Sequence, residues 1–132
     1  METISVHASR DYEVRIGSGL LTRTGELSAP LIKGRHAMIV SDSNVWPLYG
    51  SMVQASLEDA GFQVDHFIFP AGEQSKNTDT LVQLLTCLAQ KGMTRSDGVF
   101  ALGGGVTGDM AGLAASLYLR GIPCVQLPTS LL

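Results

Sequence analysis

The sequence predicts an α/β fold in which a parallel β-sheet is flanked by helices. From residue 36 onward, short continuous apolar runs alternate with segments of helical periodicity, in the order β-α-β-α-β-α-β. Hydrophobic residues make up 45% of the 132 residues and charged residues only 16%. Intrinsic disorder requires the opposite composition, so we expect a folded domain. Connections between its parallel strands should be right-handed.

The chain before residue 36 is predicted to form a β-hairpin and a weak helix. Residues 3–7 and 12–16 both alternate polar and apolar side chains, and the segment between them is polar. This pattern is typical of a short antiparallel hairpin. Residues 20–31 have weak helical character, with an interruption at Gly25 and an end near Pro30.

Four buried strands and three helices are predicted in the rest of the chain. A continuous apolar run at residues 37–40 indicates a strand that is buried on both faces. Predominantly apolar segments indicate the other three strands, at residues 64–69, 98–102 and 122–127. Apolar residues at helical spacing indicate the helices, at residues 45–60, 78–91 and 109–119.

Composition and charge exclude several classes of function. The formal net charge is -3, and the nine lysines and arginines do not cluster, which argues against binding to nucleic acid or to an anionic membrane. No run of about 18 apolar residues and no signal-peptide pattern is present, so we expect a cytoplasmic protein without a membrane span. Cys87 and Cys124 lie far apart in the sequence without a C-x-x-C spacing, so we expect both to be reduced thiols. The three histidines are widely spaced, so we predict no metal site within the chain.

The strongest functional signal is the glycine-rich segment from Gly103 to Gly108. It fits the pattern G-x-G-x-x-G, follows a predicted strand and precedes a predicted helix. Glycines let backbone N–H groups approach a phosphate, and the helix adds the positive end of its dipole. A pyrophosphate that bridges two ribosides fits such a turn. A tight turn without a ligand is the alternative, because the motif lies on the third buried strand and no acidic residue follows about 20 positions later.

Polar segments follow the other predicted strands as well. They lie at residues 42–44, 71–77 and 129–130. Because the carboxyl ends of parallel strands share one edge of a sheet, we expect these segments to meet the glycine-rich segment there.

Individual side chains in these segments suit a nucleotide. Asp42 could accept the hydroxyl groups of an adenosine ribose, and Glu73 and Lys76 could hold ribose hydroxyls and neutralise a phosphate. Asp109 could bond a ribose or a nicotinamide. For each residue a helix cap or a solvated turn is the alternative, and for Ser43 capping of the next helix is the interpretation we favour. Arg120 either complements a helix dipole or binds a phosphate.

Taken together, these segments closely resemble the 3-dehydroquinate synthase family. The matching segments occur in the family's order and spacing. They are SDSNV (41–45), PAGEQSK (70–76), ALGGGVTGDMAG (101–112), AASLYLRG (114–121) and QLPTSLL (126–132).

The resemblance implies an enzyme that converts 3-deoxy-D-arabino-heptulosonate 7-phosphate to 3-dehydroquinate and phosphate, in the shikimate pathway of aromatic amino acid biosynthesis. It implies tightly bound NAD and a divalent metal, commonly zinc or cobalt. Residues 1–132 would form a Rossmann-like NAD-binding domain, the N-terminal half of a two-domain enzyme that works as a homodimer. The catalytic residues and metal ligands of the family lie in a C-terminal domain that this chain lacks, so we expect the isolated chain to be inactive.

The resemblance also implies roles for individual residues. Arg120 is similar to an arginine that reaches the substrate phosphate, either within the chain or across a dimer interface. Ser130 replaces the second residue of a usual Thr-Thr pair and keeps the hydroxyl group. The implied NAD contacts are Asp42, Asn44, Ala71, Gly72, Glu73, Gln74, Ser75, Lys76, Gly104, Gly105, Val106, Thr107, Gly108, Asp109, Thr129 and Ser130.

Three alternatives remain open from the sequence. The chain could come from another sugar phosphate cyclase that makes a valiolone-like or deoxyinosose product. It could be a stand-alone nucleotide-binding module without chemistry. It could be related to metal-dependent alcohol dehydrogenases, which share the architecture and a triple glycine, although the loop with Glu73 and Lys76 fits them poorly.

Overall fold

A computed structural model describes residues 2–7, 11–16 and 18–129, with side chains from Leu21 onward. Within these residues the strands are β1 (Glu2–His7), β2 (Asp11–Ile16), β3 (His36–Asp42), β4 (Gln63–Phe69), β5 (Gly98–Gly103) and β6 (Cys124–Pro128). The α-helices are α1 (Thr24–Ser28), α2 (Trp46–Asp59), α3 (Thr78–Gln90) and α4 (Gly105–Leu117). Short 3-10 turns cover Ser18–Arg23, Glu73–Ser75 and Tyr118–Arg120.

The six strands form one sheet in the order β2-β1-β6-β5-β3-β4. Strands β4, β3, β5 and β6 pair parallel with one another, which confirms the predicted parallel sheet. Strands β1 and β2 form the predicted hairpin, and β1 extends the sheet by pairing antiparallel with β6, Val6 opposite Val125. The architecture is a Rossmann-like α/β fold with an antiparallel hairpin at one edge.

Strands β3 and β5 are buried on both faces, as their continuous apolar runs predict, whereas the edge strand β4 is mostly half-buried or exposed. On one face Ile39, Phe100 and Leu102 pack with Leu57 of α2. On the other face Met38 and Ala101 pack with residues of α3 and α4. Adjacent residues of one strand point to opposite faces, so β3 and β5 each contribute to both cores.

The segment after the hairpin differs from the predicted helix over residues 20–31. It forms a 3-10 turn followed by the short helix α1, which ends at Ser28. Gly25 lies inside α1, where a Cβ atom would stand 2.1 Å from the Ser56 carbonyl oxygen, and its N–H donates to Ser56 Oγ at 2.9 Å. The glycine is therefore a close-packing contact between α1 and α2, and the polar bond between the two helices fixes that contact.

The two cysteines are free thiols. Cys124 is fully buried, and this burial raises the pKa of its thiol to about 12. None of the helices in the described ranges has both the length and the apolarity needed to cross a bilayer.

Candidate functional site

The predicted binding segments meet at the edge where the parallel strands end. Strand β4 lies on one side of β3 and β5 on the other, so the direction of winding reverses between β3 and β5. Ligands of open α/β sheets bind at such a switch point, outside the carboxyl ends of the strands. Asp42 ends β3 and Gly103 ends β5, so two predicted binding segments flank the switch point.

Helix α4 begins at Gly105, whereas the sequence predicts its start at Asp109. The N–H group of Gly108 donates to the carbonyl oxygen of Gly104 at 3.0 Å and closes the first turn. Glycine costs a helix about 1 kcal/mol relative to alanine, which is why the pattern suggests a loop. Burial of Met110 and Ala111 against the sheet offsets that cost, and the helix forms through the glycines.

Two glycines of the motif are crowded by side chains of the same chain, Gly103 by Thr107 and Gly108 by the movable end of Gln126. A Cβ atom at Gly103 would stand 2.7 Å from Thr107 Oγ1 and 2.9 Å from Thr107 Cβ. A Cβ atom at Gly108 would stand 2.7 Å from Gln126 Oε1. The side-chain amide of Gln126 also donates to the Gly108 carbonyl oxygen at 3.1 Å, so β6 holds the first turns of α4 closely.

The other two glycines are not crowded in this way among the described residues. A Cβ atom at Gly104 or Gly105 would meet no non-neighbouring protein atom within 4 Å. Neither residue has a positive φ, and Gly104 has φ -88°. Alanine would fit both positions in the chain alone. The missing side chains instead leave the backbone open to a group that approaches it closely.

The same turn presents the positive end of the α4 dipole, which no side chain caps in the described residues. The first turn of α4 contains no acidic residue. The first N–H groups of a helix have no intrahelical acceptor and together carry a partial positive charge. An anion at Gly104 and Gly105 would satisfy these donors.

Asp42 occupies the end of β3 and is already engaged through one oxygen. Its Oδ1 atom accepts hydrogen bonds from the N–H groups of Asn44 at 2.9 Å and Val45 at 2.8 Å. Asp42 thus holds the start of α2, and our interpretation of Ser43 as the cap was wrong. The Ser43 Oγ atom instead accepts a hydrogen bond from the Ala71 N–H group at 2.9 Å, because Asp42 already bonds the local donors.

The loop after β4 is folded by its own polar groups. Gly72 turns it with φ 120°, a conformation that favours glycine. Gln74 donates to the Ala71 carbonyl oxygen at 2.9 Å, and the buried Ser75 hydroxyl donates to the Pro70 carbonyl oxygen. Asn77, outside the predicted contacts, caps α3 by accepting from the Thr80 N–H group.

Lys76 and Asp109 form an ion pair between this loop and α4. Lys76 Nζ lies 2.8 Å from Asp109 Oδ2, and both side chains are exposed. The hydrogen bond to Asp109, then the charge of Asp109 and that of Glu73, raise the pKa of Lys76. Two predicted cofactor contacts therefore bind each other in this structure and tie the loop after β4 to α4.

A cleft of about 260 Å³ lies beside this ion pair, between α3 and α4. Lys76, Asn77 and Asp109 are among the polar residues at the cleft, while Leu81 and Leu113 contribute apolar surface. The cleft thus combines charge with an apolar wall, as ligand sites do.

The remaining predicted contacts differ in accessibility. Val106 and Thr129 are half-buried, and the Thr129 N–H group donates to the Gly103 carbonyl oxygen at 3.1 Å. Thr107 is buried beneath the glycine turn, and its hydroxyl has no partner in the described residues. Ser130 lies outside the described residues.

Arg120 lies far from the other predicted contacts in the same chain. Helix α4 spans 13 residues, which corresponds to about 20 Å, and Arg120 follows its C-terminal end. The helix ends at Leu117 rather than Leu119, and Leu119 and Arg120 both adopt left-handed backbone conformations, with φ 49° and 67°. The Tyr118 hydroxyl donates to the Met93 carbonyl oxygen at 2.8 Å and holds this turn.

Two contributors to the site were not anticipated from the sequence. Ser43 ties the loop after β3 to the loop after β4, and Gln126 supports the first turns of α4. A polar residue within the apolar β6 run was the available signal for Gln126. No local pattern distinguishes the role of Ser43 from capping.

No group of three or more His, Cys, Asp or Glu side chains within residues 21–129 is arranged to hold a metal ion.

Comparison with known proteins identifies relatives of the chain. A family model described as 3-dehydroquinate synthase N-terminal matches residues 66–132. The 3-dehydroquinate synthases of Streptococcus suis and Streptococcus pneumoniae are 51% and 48% identical to the chain over 120 residues. The alignments cover 91% of this chain and 34% of each relative, so the chain spans about a third of their length.

Solved structures show the same fold. A 2-deoxy-scyllo-inosose synthase complexed with carbaglucose-6-phosphate, NAD+ and Co2+ superposes with a TM-score of 0.81 at 26% identity, over 96% of this chain and 35% of that enzyme. The 2-epi-5-epi-valiolone synthase of Streptomyces hygroscopicus, with NAD+ and Zn2+ bound, gives 0.68 at 34% identity, over 76% of this chain and 28% of that one. Glycerol dehydrogenase of Schizosaccharomyces pombe, at 21% identity and a TM-score of 0.67 over 83% of this chain and 26% of that one, shares the fold.

The family model covers just over half of the chain, and the two streptococcal relatives are about 50% identical over most of it. The open glycine turn after β5 lies within the matched segment, whereas β3 on the other side of the switch point precedes it. The chain belongs to the 3-dehydroquinate synthase N-terminal family.

Proposed function

We propose that residues 1–132 form the NAD-binding domain of a 3-dehydroquinate synthase. The reaction proposed for the enzyme is conversion of 3-deoxy-D-arabino-heptulosonate 7-phosphate to 3-dehydroquinate and phosphate. One observation carries the proposal: in a chain of this family, Gly104 and Gly105 leave the N-terminus of α4 open where nothing in the described residues requires glycine.

The glycine turn fits the pyrophosphate of NAD. A phosphate oxygen that accepts from the first N–H groups of α4 must come within about 3 Å of the backbone, which a side chain at Gly104 or Gly105 would hinder. Lys76 supplies a cation that is paired with Asp109, and the first turn of α4 itself carries no carboxylate. The 2-deoxy-scyllo-inosose synthase structure contains NAD+, which supports this assignment by similarity.

The other polar groups suit the two ends of the dinucleotide. We assign ribose hydroxyls to Glu73 and to the oxygen of Asp42 that does not hold α2, with Asn44 beside it. Thr129 and Asp109 lie next to the glycine turn along the sheet edge and along α4, and they would contact the parts of NAD beyond the pyrophosphate. The backbone turn at residues 71–76 completes this set, whereas Ser75 and Thr107, both buried, would act by shaping the loop and the turn.

NAD, when bound, supplies reversible hydride transfer with the substrate. The described residues contribute binding and orientation. Asp109 fixes the position of the Lys76 ammonium group through their hydrogen bond of 2.8 Å. The metal, the catalytic groups and most of the substrate site are proposed to lie in a second domain outside this chain.

We propose that Arg120 serves a second copy of the chain in a cytoplasmic homodimer. Its place beyond the C-terminal end of α4, about 20 Å from Gly105, keeps it away from the nucleotide proposed at the glycine turn of its own chain. Arg120 is exposed and carries no salt bridge in the described residues, so it is available to a phosphate from outside.

A different sugar phosphate cyclase is the second candidate, because two such enzymes share the fold. Sequence identity favours 3-dehydroquinate synthase, at 51% against 26% and 34%.

Calorimetric titration of the purified protein with NAD tests the proposal. We expect saturable binding of one NAD per chain, and no phosphate release from the substrate by residues 1–132 alone. Substrate turnover by the 132-residue chain would contradict the assignment of catalysis to a second domain. Absence of binding at millimolar NAD would contradict the proposed site.

A further inference from the structure

Ser43 lies where the pairing between β3 and β4 ends. The last pair of this ladder is Asp42 with Phe69, and the Ser43 N–H group extends the pairing by donating to the Phe69 carbonyl oxygen at 2.9 Å. The next residue on β4, Pro70, has no N–H group to donate. The first available donor is the N–H group of Ala71, and the Ser43 hydroxyl accepts from it at 2.9 Å.

This bond connects β3 to a loop that is otherwise folded by local contacts. Gln74 and Ser75 donate back to the carbonyl oxygens of Ala71 and Pro70, and the Lys76 N–H group donates to the Glu73 carbonyl oxygen at 3.0 Å. The segment therefore behaves as one small folded unit. Displacement of Ala71 would move the whole unit.

The folded unit is attached at two sides of the site. Ser43 holds its beginning to the end of β3, and Asp109 holds its Lys76 to α4 at 2.8 Å. Between these two attachments lies Glu73, an exposed carboxylate. Both attachments are single polar bonds at the surface, so each can be removed without opening the core.

We propose that Ser43 is a positioning residue, which sets the loop that carries Glu73 and Lys76 for nucleotide binding. The inference rests on the proposed NAD site. It assigns Ser43 a function through Ala71, although the sequence indicates only a helix cap. Its hydroxyl substitutes for a backbone acceptor at the point where proline interrupts the ladder.

The test compares Ser43→Ala with Ser43→Thr, which keeps the hydroxyl, and with Ser116→Ala as a control. Ser116 is an exposed helical serine whose hydroxyl donates to Leu113 within the same helix. Hydrogen exchange at the Ala71 N–H group and calorimetric NAD affinity are measured for each variant. We expect faster exchange and about 3- to 10-fold weaker NAD binding in Ser43→Ala. Ser43→Thr and Ser116→Ala should bind NAD within about twofold of the wild type.

The two measurements separate the possible outcomes. Unchanged exchange in Ser43→Ala, or faster exchange with unchanged NAD affinity, would overturn the positioning role while the wild type still binds NAD. Equal weakening in Ser43→Thr would overturn it as well, because the hydroxyl is retained. Failure of the wild type to bind NAD would refute the proposed function itself, and with it this role of Ser43.

Discussion

Alanine substitution within the glycine turn separates packing from ligand binding. At Gly104 and Gly105 a methyl group meets no non-neighbouring atom within 4 Å, and the backbone has no left-handed conformation. Alanine restricts the unfolded chain, so each substitution should leave the free energy of unfolding unchanged or raise it by up to about 1 kcal/mol. For a domain of this size that corresponds to a melting temperature raised by at most about 5 °C.

The same substitutions should weaken NAD binding. A phosphate oxygen bonded to the first N–H groups of α4 would lie about 3 Å from the backbone, within the space of the new methyl group. We expect at least tenfold weaker binding, or about 1.4 kcal/mol, for Gly104→Ala and Gly105→Ala. Calorimetric titration measures the affinity, and urea denaturation measures stability on the same samples.

Gly112 provides the matched control, because it lies in α4 with only an ordinary contact of 3.6 Å to Gln126. Gly112→Ala should stabilise the helix similarly and leave NAD affinity unchanged. Gly103→Ala should destabilise by about 1–3 kcal/mol, since Thr107 occupies the space. Wild-type NAD affinity in Gly104→Ala and Gly105→Ala would refute the assignment of the open turn to a ligand.

Three further predictions concern charge, burial and the turn after α4. Lys76→Met should weaken NAD binding and make the NAD affinity less dependent on salt concentration. The melting temperature should not change, because the ion pair with Asp109 is exposed. Equal salt dependence of NAD binding by the wild type and Lys76→Met would contradict this. The Cys124 thiol has a pKa of about 12 in the folded state and ionises near pH 9 in the unfolded state. The free energy of unfolding should therefore fall by about 1.4 kcal/mol by pH 10, and Cys124→Ala should remove that loss in denaturation curves. Tyr118→Phe should lower the free energy of unfolding by about 1 kcal/mol, because the bond to Met93 is lost; no change would show that water replaces it.

The free energy of unfolding falls at high pH because the folded state holds the Cys124 proton more tightly than the unfolded state does. Burial raises the pKa of the folded thiol, so the folded state keeps its proton while the unfolded state loses it. The stabilising contribution is complete below pH 9 and is lost as the pH rises toward 12. Cys87→Ala is a suitable comparison, because Cys87 is only half-buried.

The sequence predicts best those elements whose side chains show a strong period. Strand β3 and helix α3 follow their apolar patterns closely, because burial dominates the energy of both. The start of α4 was misplaced, since its glycines disfavour helix locally while Met110 and Ala111 pack against the sheet. Packing by residues further along the helix overrides local propensity there.

Features that depend on strand order could not be predicted from the sequence. The pairing of β1 with β6 joins residues more than 100 positions apart, and no local pattern indicates it. The same applies to the Ser43 bond with Ala71, since it exists only because β3 and β4 are neighbours. The placement of Arg120 away from the glycine turn likewise follows from the direction of α4, which runs back across the sheet.

The central claim is that the N-terminus of α4 holds a pyrophosphate. An NMR titration of isotopically labelled protein with NAD tests it most directly, through the backbone amide signals of Gly104, Gly105 and Val106. We expect these signals to shift in a saturable way, with Ala71 and Lys76 also affected, and Gly61 at the far end of α2 not to respond. Saturable NAD binding that leaves the amides of Gly104 to Val106 unperturbed would show that the pyrophosphate binds elsewhere.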